Sequence, residues 1–394
     1  MFEKFQQRRY IYILSMLVVG AFLQFYVVGF LASGNSFWVK ILGIILIIGF
    51  GAFYVLQGTA GIIEETTEVL SERTKIAGGV LQSVGTAFPD MVLGIVAAVI
   101  SLRLRDSDYA AAINFAIIAA ATTFGSNIYN IGYAIWCVFR QNSANRLGHP
   151  INIFPFLKKG GTVKPMSQHI NLPAMEEIDI SMDVINALTL LTMVVAVSMV
   201  IFGRIANPPA GITGDLYQLV RPIGLLILVL TIVIIFRFRK TKREKSPVPE
   251  IENEERYYEH KSGVTIWLHL LISGGAILLA AEAMVTAVET FSVITGLPFV
   301  ISGVLTGVVG CLGEILVIHD YTTNPKGRIG DALVGIGMDN VVTIMGAAIV
   351  ALIGGIFLGG NALILIFVLI LTLNSVLMWQ ISKLKNYINP GFPK

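Results

Sequence analysis

The chain has 394 residues, of which 55% are hydrophobic and only 13% charged, whereas a soluble domain carries about 25% charged residues. A net charge of +3 and two cysteines, Cys137 and Cys311, give no basis for a nucleic-acid surface, a disulfide framework or a zinc spacing. With a mean hydropathy of +0.76, much of the surface must face something other than water.

Apolar runs of roughly 17–25 residues can cross a bilayer as helices. In chain order, such runs are predicted at about 11–33, 38–62, 76–101, 110–138, 184–204, 217–237, 263–289, 297–320, 329–357 and 361–382. They are rich in Leu, Ile, Val, Gly and Ala rather than alternating in polarity, so helices and not barrel strands satisfy the backbone. The first run is too long for a signal h-region and lacks a clean small-residue cleavage site. The expected fold is an all-α membrane protein of about ten spans. Between the fourth and fifth spans, 139–183 carries Pro150, Pro155, Pro165 and Pro173 and reads as a cytoplasmic surface loop. Between the sixth and seventh, 238–262 is first basic (Arg239, Lys240, Lys242, Arg243, Lys245) and then acidic (Glu250, Glu252, Glu254, Glu255, Glu259), a solvated linker with no calcium-loop pattern.

Charge orients the spans. Of the 28 Lys and Arg residues, only Lys40, Arg103, Arg105, Arg204 and Arg221 fall opposite the others when the N-terminus is inside. That bias puts both termini in the cytoplasm of a multi-pass protein, expected in the cell membrane.

The chain also repeats itself. Glu65-Thr66-Thr67-Glu68-Val69-Leu70 returns as Glu289-Thr290-Phe291-Ser292-Val293-Ile294; at the same spacing Gly79-Val80-Leu81 returns as Gly303-Val304-Leu305, and Asp90 lands on Glu314. At a shorter spacing, Ser126-Asn127-Ile128-Tyr129-Asn130-Ile131 resembles Asp339-Asn340-Val341-Val342-Thr343-Ile344. The halves are 1–216, with repeat segment 76–138, and 217–394, with repeat segment 297–357. Five spans per half is an odd number, so equivalent helices run in opposite directions: two inverted five-helix repeats, as in secondary transporters that bind substrate near the midplane.

Ionisable groups inside a span cost on the order of 2.5–3.5 kcal/mol each. Asp90, Glu282, Glu314 and Asp339 lie inside predicted spans, with the amides Asn127, Asn130 and Asn340 at similar depth. Gly85 and Pro89 flank Asp90, and Gly310 and Gly313 flank Glu314, so helix breakers accompany the two repeat-equivalent acids. Carboxylates, amides and freed carbonyls are oxygen ligands suited to hard cations such as Ca²⁺, and no His or Cys cluster favours a softer metal. Glu65 and Glu289 read as solvated helix ends, Cys137 as core and His319 as a loop residue. Glu282 is as readily a hydrogen-bonded structural group as a ligand.

Gly85-Thr86-Ala87-Phe88-Pro89-Asp90 followed by Gly125-Ser126-Asn127-Ile128-Tyr129-Asn130 resembles the first α-repeat of the calcium/cation antiporter superfamily, which includes sodium/calcium and proton/calcium exchangers. Gly310-Cys311-Leu312-Gly313-Glu314 and Met338-Asp339-Asn340 match the second α-repeat more loosely. The resemblance implies that Asp90 and Glu314 are facing acidic ligands, with oxygens from Thr86, Ala87, Gly310 and Cys311. Ser126 and Asn130 fall on ligand positions of the first repeat, and Asp339 and Thr343 on those of the second. Ala87 stands where the family has Ser, Gly310-Cys311 where it has Thr-Ser, Thr343 where an acid is common and Asp339 where Ser is common. The motifs lie one helix later than is usual, as an added N-terminal helix and a missing last one would produce. The implied activity is exchange of Ca²⁺ for Na⁺ by alternating access, with H⁺ as the alternative coupling ion and a cation channel as the alternative of another class. No nucleophile–base pair suggests an enzyme, no cofactor is expected, and the expected partners are the bilayer and the transported cations. The oligomeric state stays open.

Overall fold

In the computed structural model the described residues are 2–74, 87–104, 106–157, 160–169, 175–202, 213–243, 257–324, 329–353 and 361–388. They form helices α1 (Phe2–Phe25), α2 (Phe37–Phe50), α3 (Gln57–Thr74), α4 (Phe88–Leu104), α5 (Tyr109–Leu147), α6 (Met175–Phe202), α7 (Thr213–Arg243), α8 (Gly263–Thr295), α9 (Phe299–Gly310), α10 (Leu312–Thr323), α11 (Ile329–Ile353) and α12 (Asn361–Ile388). A π-helical turn, Gly51–Leu56, joins α2 to α3 within one apolar span.

Among the described residues seven helices are long and apolar enough to cross a bilayer; α9 and α10 make an eighth span bent by 53°, and Met91–Leu104 and Pro222–Phe238 are shorter apolar helices. An apolar helix therefore occupies each of the ten predicted places, in a multi-pass integral membrane protein. The ends follow ordinary capping chemistry. Asp108 accepts the Ala111 N–H at 3.0 Å to open α5, and Gly148, at φ 70°, closes it with its N–H on the Ala144 carbonyl. Ser262 opens α8 by accepting the Thr265 N–H, and Gly296, at φ 69°, follows its last residue.

Both connections are shorter than the sequence predicts. The loop assigned to 139–183 shrinks to 148–174, because α5 runs on to Leu147 and α6 begins at Met175. Residues Arg140, Gln141, Asn142, Asn145 and Arg146 end the hydropathy run but not the helix, since polar residues tolerate helix outside lipid. The linker assigned to 238–262 likewise begins with helix as far as Arg243. The loop also holds the one strand pair among the described residues, Ile151–Asn152 against Thr162–Val163.

The interior is built from α5 and α11, which are 72% and 78% buried along their apolar windows, against 28% for the span that begins at Arg9. Small residues allow this. A Cβ at Gly303 would lie 2.6 Å from the Ala121 Cβ, one at Gly307 2.7 Å from the Ser126 nitrogen, and one at Gly125 2.7 Å from the Val304 Cα. α9 and α5 thus meet backbone against backbone, the close approach that small residues permit in lipid. α11 packs on α4 through Gly346 and Met91, and α12 packs on α5 through the edge-to-face pair Phe124–Phe367.

Candidate cation site

The eighth span breaks beside the glycines that flank Glu314. Instead of one continuous helix, α9 stops at Gly310 and α10 starts at Leu312, with Cys311 at φ −94° and ψ 9° between them. Glu314 is the third residue of the new helix and is 6% exposed. In the other half α4 starts at Phe88, so Asp90 is also the third residue of a helix. Both acids therefore sit in a first helical turn, where unpaired N–H groups and the macrodipole favour negative charge. Pro89 fits there because a first-turn N–H has no intrahelical acceptor. The side chain of Asp90 and all of Thr86 lie outside the described residues.

The amides meet across the repeat boundary. Asn130 of α5 donates its Nδ2–H to Asn340 Oδ1 of α11 at 3.3 Å, and both are buried. That bond leaves Asn130 Oδ1, Asn340 Nδ2 and both polar atoms of Asn127 buried with no hydrogen-bond partner among the described residues. Thr122 Oγ1 and Ser302 Oγ, on the facing sides of α5 and α9, are in the same state. Buried polar atoms are nearly always paired, and leaving one without a partner costs about 1–3 kcal/mol. Those of Asn127, Asn130 and Asn340 belong to the two most buried helices, α5 and α11. Ser126 and Thr343 are buried and turned onto their own helices, donating to Thr123 O at 2.9 Å and Asp339 O at 2.9 Å. Asp339 is 8% exposed on α11.

Two of the anticipated carbonyls are engaged in helix starts: Ala87 O accepts from Met91 N at 3.1 Å and Cys311 O from Ile315 N at 3.1 Å. Each keeps a second lone pair. Gly310 is buried at the bend. Among the described residues no three His, Cys, Asp or Glu side chains gather as a metal-holding group; the described candidate ligands are buried amides, hydroxyls and the two acids Glu314 and Asp339.

The remaining acids separate from this group. Glu282 pairs with Arg103 at the end of α4 at 3.4 Å, a structural ion pair. Glu65 is no solvated helix end: it pairs with Arg9 of α1 and accepts the Tyr258 N–H at 3.2 Å. Glu289 is half-buried towards the end of α8. His319 is not in a loop but on α10, bonded to Tyr133. Sequence reading missed Thr122, Ser302 and Tyr133. Two of them had a helical signal: Thr122 lies four residues before Ser126 and Tyr133 three after Asn130, on the same face.

No family model matches the chain, and no curated protein matches it by sequence. Among solved structures, the crystal structure of the H⁺/Ca²⁺ exchanger CAX is similar with a TM-score of 0.57 and 13% identity, over 98% of this chain and 89% of that one. At that identity the likeness concerns the fold, and it extends over nearly the whole of both chains. The chain shares the fold of that exchanger.

Proposed function

We propose that this protein is a secondary active antiporter that exchanges Ca²⁺ for a monovalent cation by alternating access. The observation that carries the reading is Glu314, buried in the first turn after the bend at Cys311, with Asp90 in the same register of the other half. Asp90, Glu314 and Asp339 supply the charge in this reading. Ser126, Asn127, Asn130, Asn340 and Thr343, with the backbone oxygens at Thr86, Ala87, Gly310 and Cys311, supply neutral ligands towards the six to eight oxygens that Ca²⁺ takes. The halves 1–216 and 217–394 each contribute one acidic helix start and one amide helix, with both termini cytoplasmic in the cell membrane.

Coupling follows from the cost of naked charge. Carboxylates held together in a low-dielectric interior cannot all stay ionised and empty while the site is closed to both sides. One Ca²⁺, or several monovalent cations, neutralises them, and only the loaded forms change access. Sodium is the coupling ion that the superfamily motif implies. A proton is the second reading, favoured because the positions of Ala87, Gly310 and Cys311 carry no hydroxyl, and because the solved protein of similar fold is an H⁺/Ca²⁺ exchanger. Radiolabelled Ca²⁺ uptake into proteoliposomes with an imposed sodium or proton gradient tests both. Uptake driven by one gradient and lost in Glu314→Gln supports antiport. Uptake with no gradient dependence, or current far above carrier rates, refutes it in favour of a channel.

A further inference from the structure

The connection between α5 and α6 is folded onto the protein. Its strand pair is extended by the Ile153 N–H on Gly161 O at 3.1 Å, and Ile153 and Val163 are fully buried. Three side chains from the last turns of α5 fasten it: Arg140 donates to Asn152 O, Gln141 to Lys164 O at 2.8 Å, and Asn145 accepts from Met166 N at 2.8 Å. Gly161, at φ 94°, passes so close to α10 that a Cβ there would lie 3.0 Å from the Thr323 Cβ. The hairpin therefore closes over the seam where the end of α10 meets α5.

Beneath it, Tyr133 of α5 and His319 of α10 share a hydrogen bond of 2.7 Å, and Phe154 of the hairpin stacks on the imidazole at 6.1 Å with an interplanar angle of 19°. Cys137 is fully buried one turn further along α5. His319 lies five residues beyond Glu314, about 7.5 Å along the helix, and Tyr133 lies one turn beyond Asn130. These are the two helices that hold the buried acid and the buried amides, joined one step from the site on the side covered by the hairpin.

We propose that Tyr133, His319 and Phe154, held shut by the strand pair Ile151–Asn152 and Thr162–Val163, are the gate that closes the cation site towards that face. The inference rests on the site assigned above, but its test does not require transport. Cys311 sits at the bend, two turns deeper than His319, and serves as a reporter once Cys137 is replaced by Ser. An impermeant methanethiosulfonate reagent applied to the hairpin face of oriented vesicles reacts slowly with Cys311 while the gate is intact. Combining His319→Ala with Phe154→Ala removes one hydrogen bond and one ring stack, and the labelling rate rises about tenfold or more. The same reagent on the opposite face shows no change. If the double variant does not reach the membrane, Tyr133→Phe, which removes a single hydroxyl, carries the test with a rise of about fivefold. An unchanged rate in whichever variant is recovered overturns the gate. Labelling that fails to respond while Ca²⁺ uptake is intact refutes the gate alone; a responsive gate in a protein that takes up no Ca²⁺ refutes the transport reading alone.

Discussion

The contact between the inner helices α5 and α9 and the packing of the span that runs from α2 into α3 use glycine differently. Inside, Gly125, Gly303 and Gly307 face backbone or Cβ atoms, which cannot yield. Outside, a Cβ at Gly51 would meet the Met284 side chain at 3.0 Å, and one at Gly58 would meet the ends of Met16 and Tyr12 at 2.5 and 2.6 Å. Methionine is unbranched and adapts its shape. The α5–α9 contact is thus a slab locked by main chain, whereas the contacts at Gly51 and Gly58 are with adaptable side chains. The polar atoms divide in the same way. Buried amides and acids concentrate on the inner helices, while outer polar groups form ion pairs and aromatic contacts near one end, such as Arg9–Glu65 beside Tyr257 and Tyr258. A transporter needs a fixed ligand geometry and a surface on which access can change, and these two regions are suited to those separate tasks.

The contrast breaks most directly at the acids. Glu314→Gln or Asp90→Asn should lower Ca²⁺ uptake by at least about 100-fold, since even the outer partners of metal ligands cost about 10–100-fold. Glu65→Gln, in the outer region, should stay within about threefold of the parent because its partners are Arg9 and the Tyr258 N–H and none of the candidate ligands. Equal losses at both places, measured in the same uptake assay, would erase the distinction. Next comes Asn340→Ala, expected to weaken Ca²⁺ binding about tenfold with little change in melting temperature; a large melting shift with unaltered binding would make the amide structural. Third, Gly307→Leu should cost about 3 kcal/mol against about 1 kcal/mol or less for Gly51→Ala, read from thermal unfolding in detergent. The smallest effect concerns His169, outside the spans. It donates Nε2–H to Lys164 O at 3.0 Å, and burial holds its pKa below the ordinary value, with nearby Lys164 acting the same way. A histidine held neutral by folding contributes stability at high pH that is lost as pH falls through about 6.5, where the unfolded form takes up its proton first. The hairpin should therefore gain protease sensitivity below about pH 6.5, and His169→Gln should flatten that dependence.

Much of this architecture was legible in the residues. Ten apolar runs and the Asp90–Glu314 spacing needed only hydropathy and self-comparison, and α4 and α10 begin at equivalent points of the two halves. The bend at Cys311 was foreshadowed by Gly310 and Gly313, but not its sharpness, because glycine permits a break without imposing one. The extensions of α5 and α7 were illegible because hydropathy records where lipid ends, not where a helix ends. Glu65 read as solvated because its cation, Arg9, lies on another helix far away in sequence. The Asn130–Asn340 bond and the Tyr133–His319 pair also join distant segments, and nothing in a single sequence pairs them.

The length of α5 has a consequence of its own. Its 39 residues make a rod of about 58 Å, while a bilayer with its headgroups is only about 40–45 Å thick. At ordinary tilt the surplus reaches beyond the headgroups, where its end carries Arg140, Gln141 and Asn145 beneath the strand pair and Asn142 against Gln380 of α12. A soluble protein or antibody fragment that grips this covered end would hold the protein without ever entering the lipid.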